Sequence, residues 1–317
     1  MHVRRSLAAA LAVGSLLLAG CAGSDLSEGS DSPGADDSSA AADNGPVSIS
    51  GQSFPEAALV AAMYDELLTN AGYDTDVKLV DTRDAYMATF PDSIDVVPEY
   101  VGGIVNFLNS RENGAKAQPF TAGDGAELAT QGADLLDGAK ITLLDQSAAT
   151  DTNAFFVTKD YSESEGVTKL SDLKGKSVVL AAAPDCEGRL DCEGGLSDKY
   201  GIDITKVLPL GYASDQTYQS VIKGEAQLGE TSTTDGTLES QGLVVLEDDM
   251  QIQPAQNLVP AVSSAFLEQH PDVADVLNGL MAALTTEDLT ELNGEVAVDR
   301  KTPEEVAHSY LESAGLL

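Results

Sequence analysis

Tyr100, Tyr218 and the segment Ser53-Phe54-Pro55-Glu56 are the residues of this chain best suited to act on a small molecule, and the act they suit is binding. Ser53 to Glu56 opens a helix after a strand, so its free backbone N–H groups can receive a carboxylate. The same residues have the S-x-x-E form of a capping box, with proline in the first turn. Tyr100 closes the run Asp95-Val96-Val97-Pro98-Glu99 at the end of a buried strand, where open α/β sheets place ligands. Tyr218 stands near a helix start after Gly211-Tyr212; a single tyrosine is equally at home as half-buried packing, but two at comparable places carry more weight.

Signatures of catalysis are scarce. His270 and His308, the histidines outside the N-terminal segment, read as surface or capping residues near the C-terminus, and no G-x-S-x-G, P-loop, H-E-x-x-H or G-x-G-x-x-G pattern occurs. Asp248-Asp249 and Glu304-Glu305 read as solvated turns or helix starts, and nothing singles out two carboxylates for glycoside hydrolysis. Cys186 and Cys192 lie six apart among Gly188, Gly194 and Gly195. In an exported chain that spacing reads as a local disulfide, whereas zinc needs more ligands than two distant histidines supply. No enzyme activity, metal or cofactor is expected.

The elements that must position these residues are legible as an α/β alternation. Strands are predicted at Val47–Ser50, Asp76–Val80 and Ile94–Val97, with helices at Ala57–Asn70, Asp84–Phe90 and Val101–Leu108, a pattern that implies a largely parallel sheet. A helix at Thr121–Leu136 and a strand at Ile141–Leu144 follow. A second unit places strands at Ala154–Val157, Lys176–Ala181, Val207–Leu210, Ala226–Leu228 and Leu243–Leu246, and helices at Asp215–Lys223 and Thr234–Ser240. The tail beyond Phe266 reads as helical, with a second capping box at Thr302-Pro303-Glu304-Glu305. Two α/β units and a returning tail predict two lobes, consistent with a chain too long for one growing core.

The N-terminus predicts where these lobes work. His2, Arg4 and Arg5 precede the apolar run Leu7–Leu18, which is too short to span a bilayer comfortably and fits an export signal over residues 1–20. Leu18-Ala19-Gly20-Cys21 resembles the lipobox of bacterial lipoproteins, with Cys21 as the acylated mature N-terminus. Ala22 to Pro46 holds six acidic residues, no basic ones and almost nothing able to enter a core, so residues 21–46 are expected to be a disordered tether with a reach of roughly 25–30 Å. The expected location is the outer face of the cell membrane. Seventeen basic residues against 52 acidic give −35; removing Arg4 and Arg5 leaves 15 against 52, or −37. Such a surface excludes nucleic acid as a partner and favours solubility, and it accords with a saline exterior or with attraction of cationic ligands.

From Val47 to Leu317 the sequence resembles the substrate-binding proteins of ABC importers for osmoprotectants, the glycine betaine/choline/carnitine family. The resemblance is carried by Phe54-Pro55-Glu56, Ile94-Asp95-Val96-Val97-Pro98-Glu99-Tyr100, Asp151-Thr152-Asn153-Ala154, Thr217-Tyr218, Thr234-Asp235-Gly236, Leu243 to Asp249 and Leu284-Thr285-Thr286-Glu287. It implies an α/β fold of the periplasmic-binding-protein type, a two-lobed type II clamshell in which each lobe is a mixed sheet flanked by helices. Lobe 1 would comprise 47–148 plus 249–317 and lobe 2 149–248, with crossings near Leu144–Asn153 and Leu243–Asp249. The ligand, a small zwitterionic or cationic solute, would be held between the lobes and passed by a monomer to ABC permease subunits. The family's device is an aromatic box that grips a quaternary ammonium by cation–π attraction.

Tyr100 and Tyr218 match two box positions, and Phe155 can assist them. Asn153 and Ser232 stand where aromatics are common in the family, Gln52 where lysine is frequent, and Val101 and Gly103 where threonines are often found. The expected site is therefore Gln52, Ser53, Phe54, Tyr100, Asn153, Phe155, Tyr218, Ser232 and Thr233, with Arg189 available to pair a ligand carboxylate. The alternatives are the same fold holding an amino acid or histidine betaine, and, from another class, a secreted hydrolase.

Overall fold

A computed structural model describes residues 44–114, 117–121 and 123–317. The export signal, Cys21 and the acidic segment up to residue 43 lie outside the described residues. Asn44 to Pro46, expected in the tether, belong to the fold: the backbone and side chain of Asn44 bond the carbonyls of Gly72 and Ala71, and a strand begins at Pro46.

Two five-stranded mixed sheets organise the chain. The first contains β1 (Pro46–Gln52), β2 (Asp74–Val80), β3 (Val96–Tyr100), β4 (Ile141–Leu143) and β10 (Leu258–Ser263) in the order β2-β1-β3-β10-β4. β1 runs parallel to β2 and β3, while β10 is antiparallel to β3 and β4. The second contains β5 (Asn153–Thr158), β6 (Ser177–Ala182), β7 (Asp203–Pro209), β8 (Leu228–Ser232) and β9 (Leu243–Leu246) in the order β7-β6-β8-β5-β9.

Helices cover both faces, as buried parallel strands require. On one face of the first sheet lie α1 (Pro55–Asn70), α10 (Asp272–Ala283), α11 (Thr286–Ala297) and α12 (Pro303–Ala314), which share a core built on Ile49, Leu59, Met63, Leu277, Leu280 and Leu311. α2 (Arg83–Met87), α3 (Val101–Asn113), α4 (Gly125–Gln131) and α5 (Ala133–Ala139) pack a second core around Ile104, Val105, Leu128 and Val259. The second sheet is flanked by α6 (Lys159–Glu165), α7 (Glu193–Asp198) and α8 (Asp215–Ile222), with Phe155 and Phe156 facing opposite cores. α9 (Ser264–Gln269) follows β10. Among the described residues no helix is long and apolar enough to cross a membrane.

The structure departs from the sequence expectations at particular places. The predicted helix Thr121–Leu136 is two short helices broken at Gly132, where a Cβ would lie 2.5 Å from Val105 Cγ1. The predicted helix Thr234–Ser240 is a turn ending in a short 3-10 segment: Asp235 accepts from the backbone and hydroxyl of Thr237, 3.0 and 2.7 Å, and winds the chain locally. The S-x-x-E box at Ser53 does not form. Phe54 is the N-cap without a side-chain cap, Ser53 faces Asp81, and Glu56 turns elsewhere. The box at Thr302–Glu305 does form. β10, which sequence reading passed over, carries Pro260 opposite Pro98.

The two connections between sheets, residues 144–152 and 247–257, run together. Thr150 bridges Asn257 and Asp151 N–H donates to the Gln256 carbonyl at 3.2 Å. The second connection lies downstream of the expected Leu243–Asp249, because Leu243–Leu246 is a full strand and Asp248 is bonded by Tyr200 of the second sheet's core.

Candidate functional site

The C-terminal ends of β1 and β3 lie side by side, and the chain turns from each into a helix, α1 and α3. That places Phe54 and Tyr100 together, their rings nearly parallel at 25° with centroids 6.4 Å apart. Tyr100 is pinned from behind. Its backbone N–H donates to the carboxylate of Glu99 at 2.9 Å, and Glu99, only 2% exposed, takes a two-pronged bond from Arg83 at 2.7 and 3.0 Å and the hydroxyl of Tyr86. Paired forks of this kind fix orientation as well as charge.

In front, the Tyr100 hydroxyl donates to Glu56, which is 5% exposed. The other oxygen of Glu56 accepts from Asn293 Nδ2 of α11 at 2.6 Å, and the same amide donates to the Thr234 carbonyl at 3.0 Å. This chain of bonds runs from the first sheet through α1 and α11 to the loop after β8, so the two halves are joined by polar contacts as well as by the connections.

The second half presents polar groups. Asn153 at the start of β5 pairs with Ser232 at the end of β8. Asp151 stands just before them, and burial is the main influence lifting its carboxyl to about 7; the charge of Glu56 adds to this, while the Ser232 and Thr234 side chains pull the other way. One oxygen of Asp151 is buried without a hydrogen-bond partner, as is Oδ1 of Asn293. Tyr212, 43% exposed in the loop after β7, sits in the field of Asp151 and Glu230, and burial followed by those charges raises its phenol. Burial, then Glu56 and Asp151, pushes Tyr100 well above the usual phenol range.

Not every expected residue is brought here. Phe155 is 1% exposed in the core beneath the second sheet with Val157, Leu180 and both cysteines, so it is a core ring and corrects the expectation that it lines the site. Tyr218, 6% exposed, packs on Phe156 at 5.5 Å from the opposite core, and its hydroxyl is taken by Asp235 at 2.6 Å. Thr233 ties the connection instead of facing a ligand: its hydroxyl accepts from Thr152 N–H at 3.1 Å and donates to the Thr150 carbonyl at 2.9 Å. Gln52 is half-buried at the end of β1 and Ser53 is exposed.

Arg189 is held by Asp191 at 3.0 and 2.6 Å and by Asp185 at 3.2 Å. Its loop is closed by a Cys186–Cys192 disulfide, both cysteines fully buried. Glu230 lies within 4.8 Å of both sulfurs, but sulfurs joined to each other are not metal ligands. Asn153 reaches the same loop through Asp191 at 3.4 Å.

Sequence reasoning missed Glu56, Asp151, Tyr212 and Asn293 as site residues. Glu56 was hidden by its cap-like spacing, Asp151 and Tyr212 by lying in loops, and Asn293 by sitting within an amphipathic tail helix with no local signal.

The arrangement can hold a small cation against aromatic faces and carboxylates, with hydroxyl and amide groups opposite. Proteins of similar sequence and fold bear the names of solute-binding proteins. Residues 45–313 match the family described as the substrate binding domain of ABC-type glycine betaine transport system. The chain is 26% identical over 281 residues to a glycine-betaine-binding protein of Pseudomonas aeruginosa, covering 85% of this chain and 88% of that one. It is also 26% identical over 284 residues to the glycine betaine-binding protein YehZ of Escherichia coli, covering 85% and 91%. The solved structure of apo YehZ superposes with a TM-score of 0.71 at 25% identity, over 86% of this chain and 99% of that one.

Proposed function

Because the chain belongs to the family of substrate-binding domains of ABC-type glycine betaine transport systems, we propose that it captures a small quaternary amine of the glycine betaine, choline or carnitine type and delivers it to a membrane permease. The observation that carries this reading is the paired rings of Phe54 and Tyr100 beside buried Glu56 and Asp151. A permanently charged, methylated ammonium offers no hydrogen bond and is held best by ring faces and a nearby negative field. Tyr212, 43% exposed and within the field of Asp151, is the ring this reading assigns to the enclosure in place of Phe155 and Tyr218.

In this reading residues 47–148 plus 249–317 and residues 149–248 act as two bodies that close on the ligand about the paired connections, a hinge motion stabilised by contacts from both sides. Cys21 carries a lipid and residues 22–43 form the leash that keeps a monomeric receptor near its permease outside the cell. The role is binding without catalysis. A second reading, the same cleft holding an amino acid or histidine betaine, draws on the hydroxyl and amide lining from Asn153, Ser232 and Thr234.

Calorimetric titration of the tether-free domain with glycine betaine, choline, carnitine, ergothioneine and the common amino acids tests both. Heat of binding with at least one quaternary amine is the expected outcome. Silence with every quaternary amine and clear binding of an ordinary amino acid would sink the first reading in favour of the second.

A further inference from the structure

The polar balance of the cleft is lopsided. On the negative side stand Glu56 in the first turn of α1 and Asp151 in the first connection, with Asp235 and Glu230 further back on the second sheet. On the positive side the two arginines that the fold brings to this region are spent: Arg83 is locked to Glu99, and Arg189 to Asp191 and Asp185. The remaining anion acceptor is the N-terminus of α1. Its first turn already carries the buried carboxylate of Glu56, which offsets the positive end of the helix.

The acceptors are also unmatched. Asp151 and Asn293 each bury an oxygen that no donor reaches, and a buried acceptor left open costs free energy until something donates to it. Both oxygens of Glu56 are engaged, by Tyr100 and by Asn293, so of the two carboxylates Asp151 is the one with charge left to compensate.

From these groups we infer that the cleft selects a net cation over a zwitterion, and that Asp151 is the residue that sets this preference. The inference rests on the binding reading above and specifies its ligand. A ligand carboxylate would meet two carboxylates and, among the described residues, two arginines already paired, whereas an alkylammonium would set its charge against Tyr100, Phe54 and those carboxylates.

The groups facing Asp151 are Glu56 from α1, Tyr100 from β3, Tyr212 from the loop after β7, and Asp235 after β8; the Ser232 and Thr234 side chains bond it. All the titratable members of this set are acids. With its carboxyl raised to about 7, Asp151 is neutral in the empty cleft at lower pH and must give up its proton to take a cation. Cation affinity therefore rises with pH through about 7 and levels off above it, approaching tenfold per unit on the steep limb because one proton is released. A zwitterion gains nothing from that ionisation.

Choline and glycine betaine share the trimethylammonium group and differ in hydroxyl against carboxylate, so they are the probes. Calorimetry at pH 8 is expected to give choline at least tenfold tighter binding than glycine betaine, and choline affinity is expected to fall at least threefold by pH 6. Asp151→Asn, nearly isosteric, is expected to narrow the ratio at least fivefold and flatten the pH profile, whereas a purely structural role would weaken both ligands together and leave the ratio alone. Glycine betaine binding as tightly as choline in the native protein overturns this inference while leaving the binding reading intact. Absence of binding by choline while carnitine or another quaternary amine binds overturns this inference alone, and silence with every quaternary amine, in a protein with a normal cooperative melt, overturns both. If Asp151→Asn does not fold, the native pH series decides: a flat choline profile is the contrary result.

Discussion

Each sheet contributes a tyrosine and an arginine–carboxylate fork to the region of the cleft, and the matched pieces do different work. In the first sheet the fork is Arg83–Glu99, with Glu99 2% exposed, and it holds the backbone of Tyr100. In the second the fork is Arg189–Asp191, with both partners about a third exposed, and it braces a surface loop. Tyr100 stacks on Phe54 with its hydroxyl on Glu56, while Tyr218 is buried beneath the sheet with its hydroxyl engaged by Asp235. A residue type at a comparable place in two α/β units is thus a poor guide to role. What decides is whether the strand it follows ends at the cleft or whether the helix it opens packs its face on a core.

The forks give the largest contrast. Arg83→Met should cost about 3–5 kcal/mol of folding stability, because Glu99 would remain buried without its counter-charge. Arg189→Met should cost no more than ~1 kcal/mol, since its partners can turn to water. Urea unfolding of the two variants measures both; equal losses would erase the distinction between the halves.

The tyrosines come next. Tyr100→Ala should weaken quaternary-amine binding about thirtyfold or more, the equivalent of ~2 kcal/mol for a desolvated cation–π contact. Tyr218→Phe should leave ligand affinity within about twofold, while stability falls by about 1.5–3 kcal/mol for a lost hydrogen bond to a carboxylate. Titration and thermal melting separate the two effects. An affinity loss in Tyr218→Phe as large as that in Tyr100→Ala would place Tyr218 at the ligand.

The same contrast shows what the sequence could disclose. The strands around the site were legible because buried α/β strands announce themselves as apolar runs, and the position of Tyr100 followed from the end of one. Tyr218 was misjudged because a helix start carries no mark of which face looks at the cleft; that depends on Phe156, reached only through the sheet. β10 escaped notice because proline argues against an inner strand. Pro260 sits there because its carbonyl still accepts from Leu144 while the pairing with β4 ends at Leu143. Gly132, where the helix breaks, lies so close to Val105 of another helix that a side chain would clash there, and no local pattern encodes such a contact. Asp151 was visible only as part of a family landmark, since its burial arises where the two connections and the loop after β8 meet.

The smallest effects lie with two matches to one motif, and they sharpen the comparison at the level of single hydrogen bonds. Ser53-Phe54-Pro55-Glu56 and Thr302-Pro303-Glu304-Glu305 share the hydroxyl-x-x-glutamate spacing, but proline is third in the first and second in the other, so with proline opening each helix the N-cap is Phe54 in one and Thr302 in the other. At Thr302 both reciprocal bonds form, 3.2 Å from Glu305 N–H to the hydroxyl and 3.0 Å from Thr302 N–H to the carboxylate. At Ser53 neither forms, because Glu56 is drawn to Tyr100 and Asn293 and the hydroxyl lies 3.4 Å from Asp81. Thr302→Ala should therefore cost about 1 kcal/mol of stability without touching ligand affinity. Ser53→Ala should change stability by no more than ~0.5 kcal/mol, as expected of an exposed side chain with no cap to lose. Equal losses at the two positions would mean that Glu56 returns to its helix in the free protein, and the bond between Tyr100 and Glu56 would then form only when the cleft is occupied.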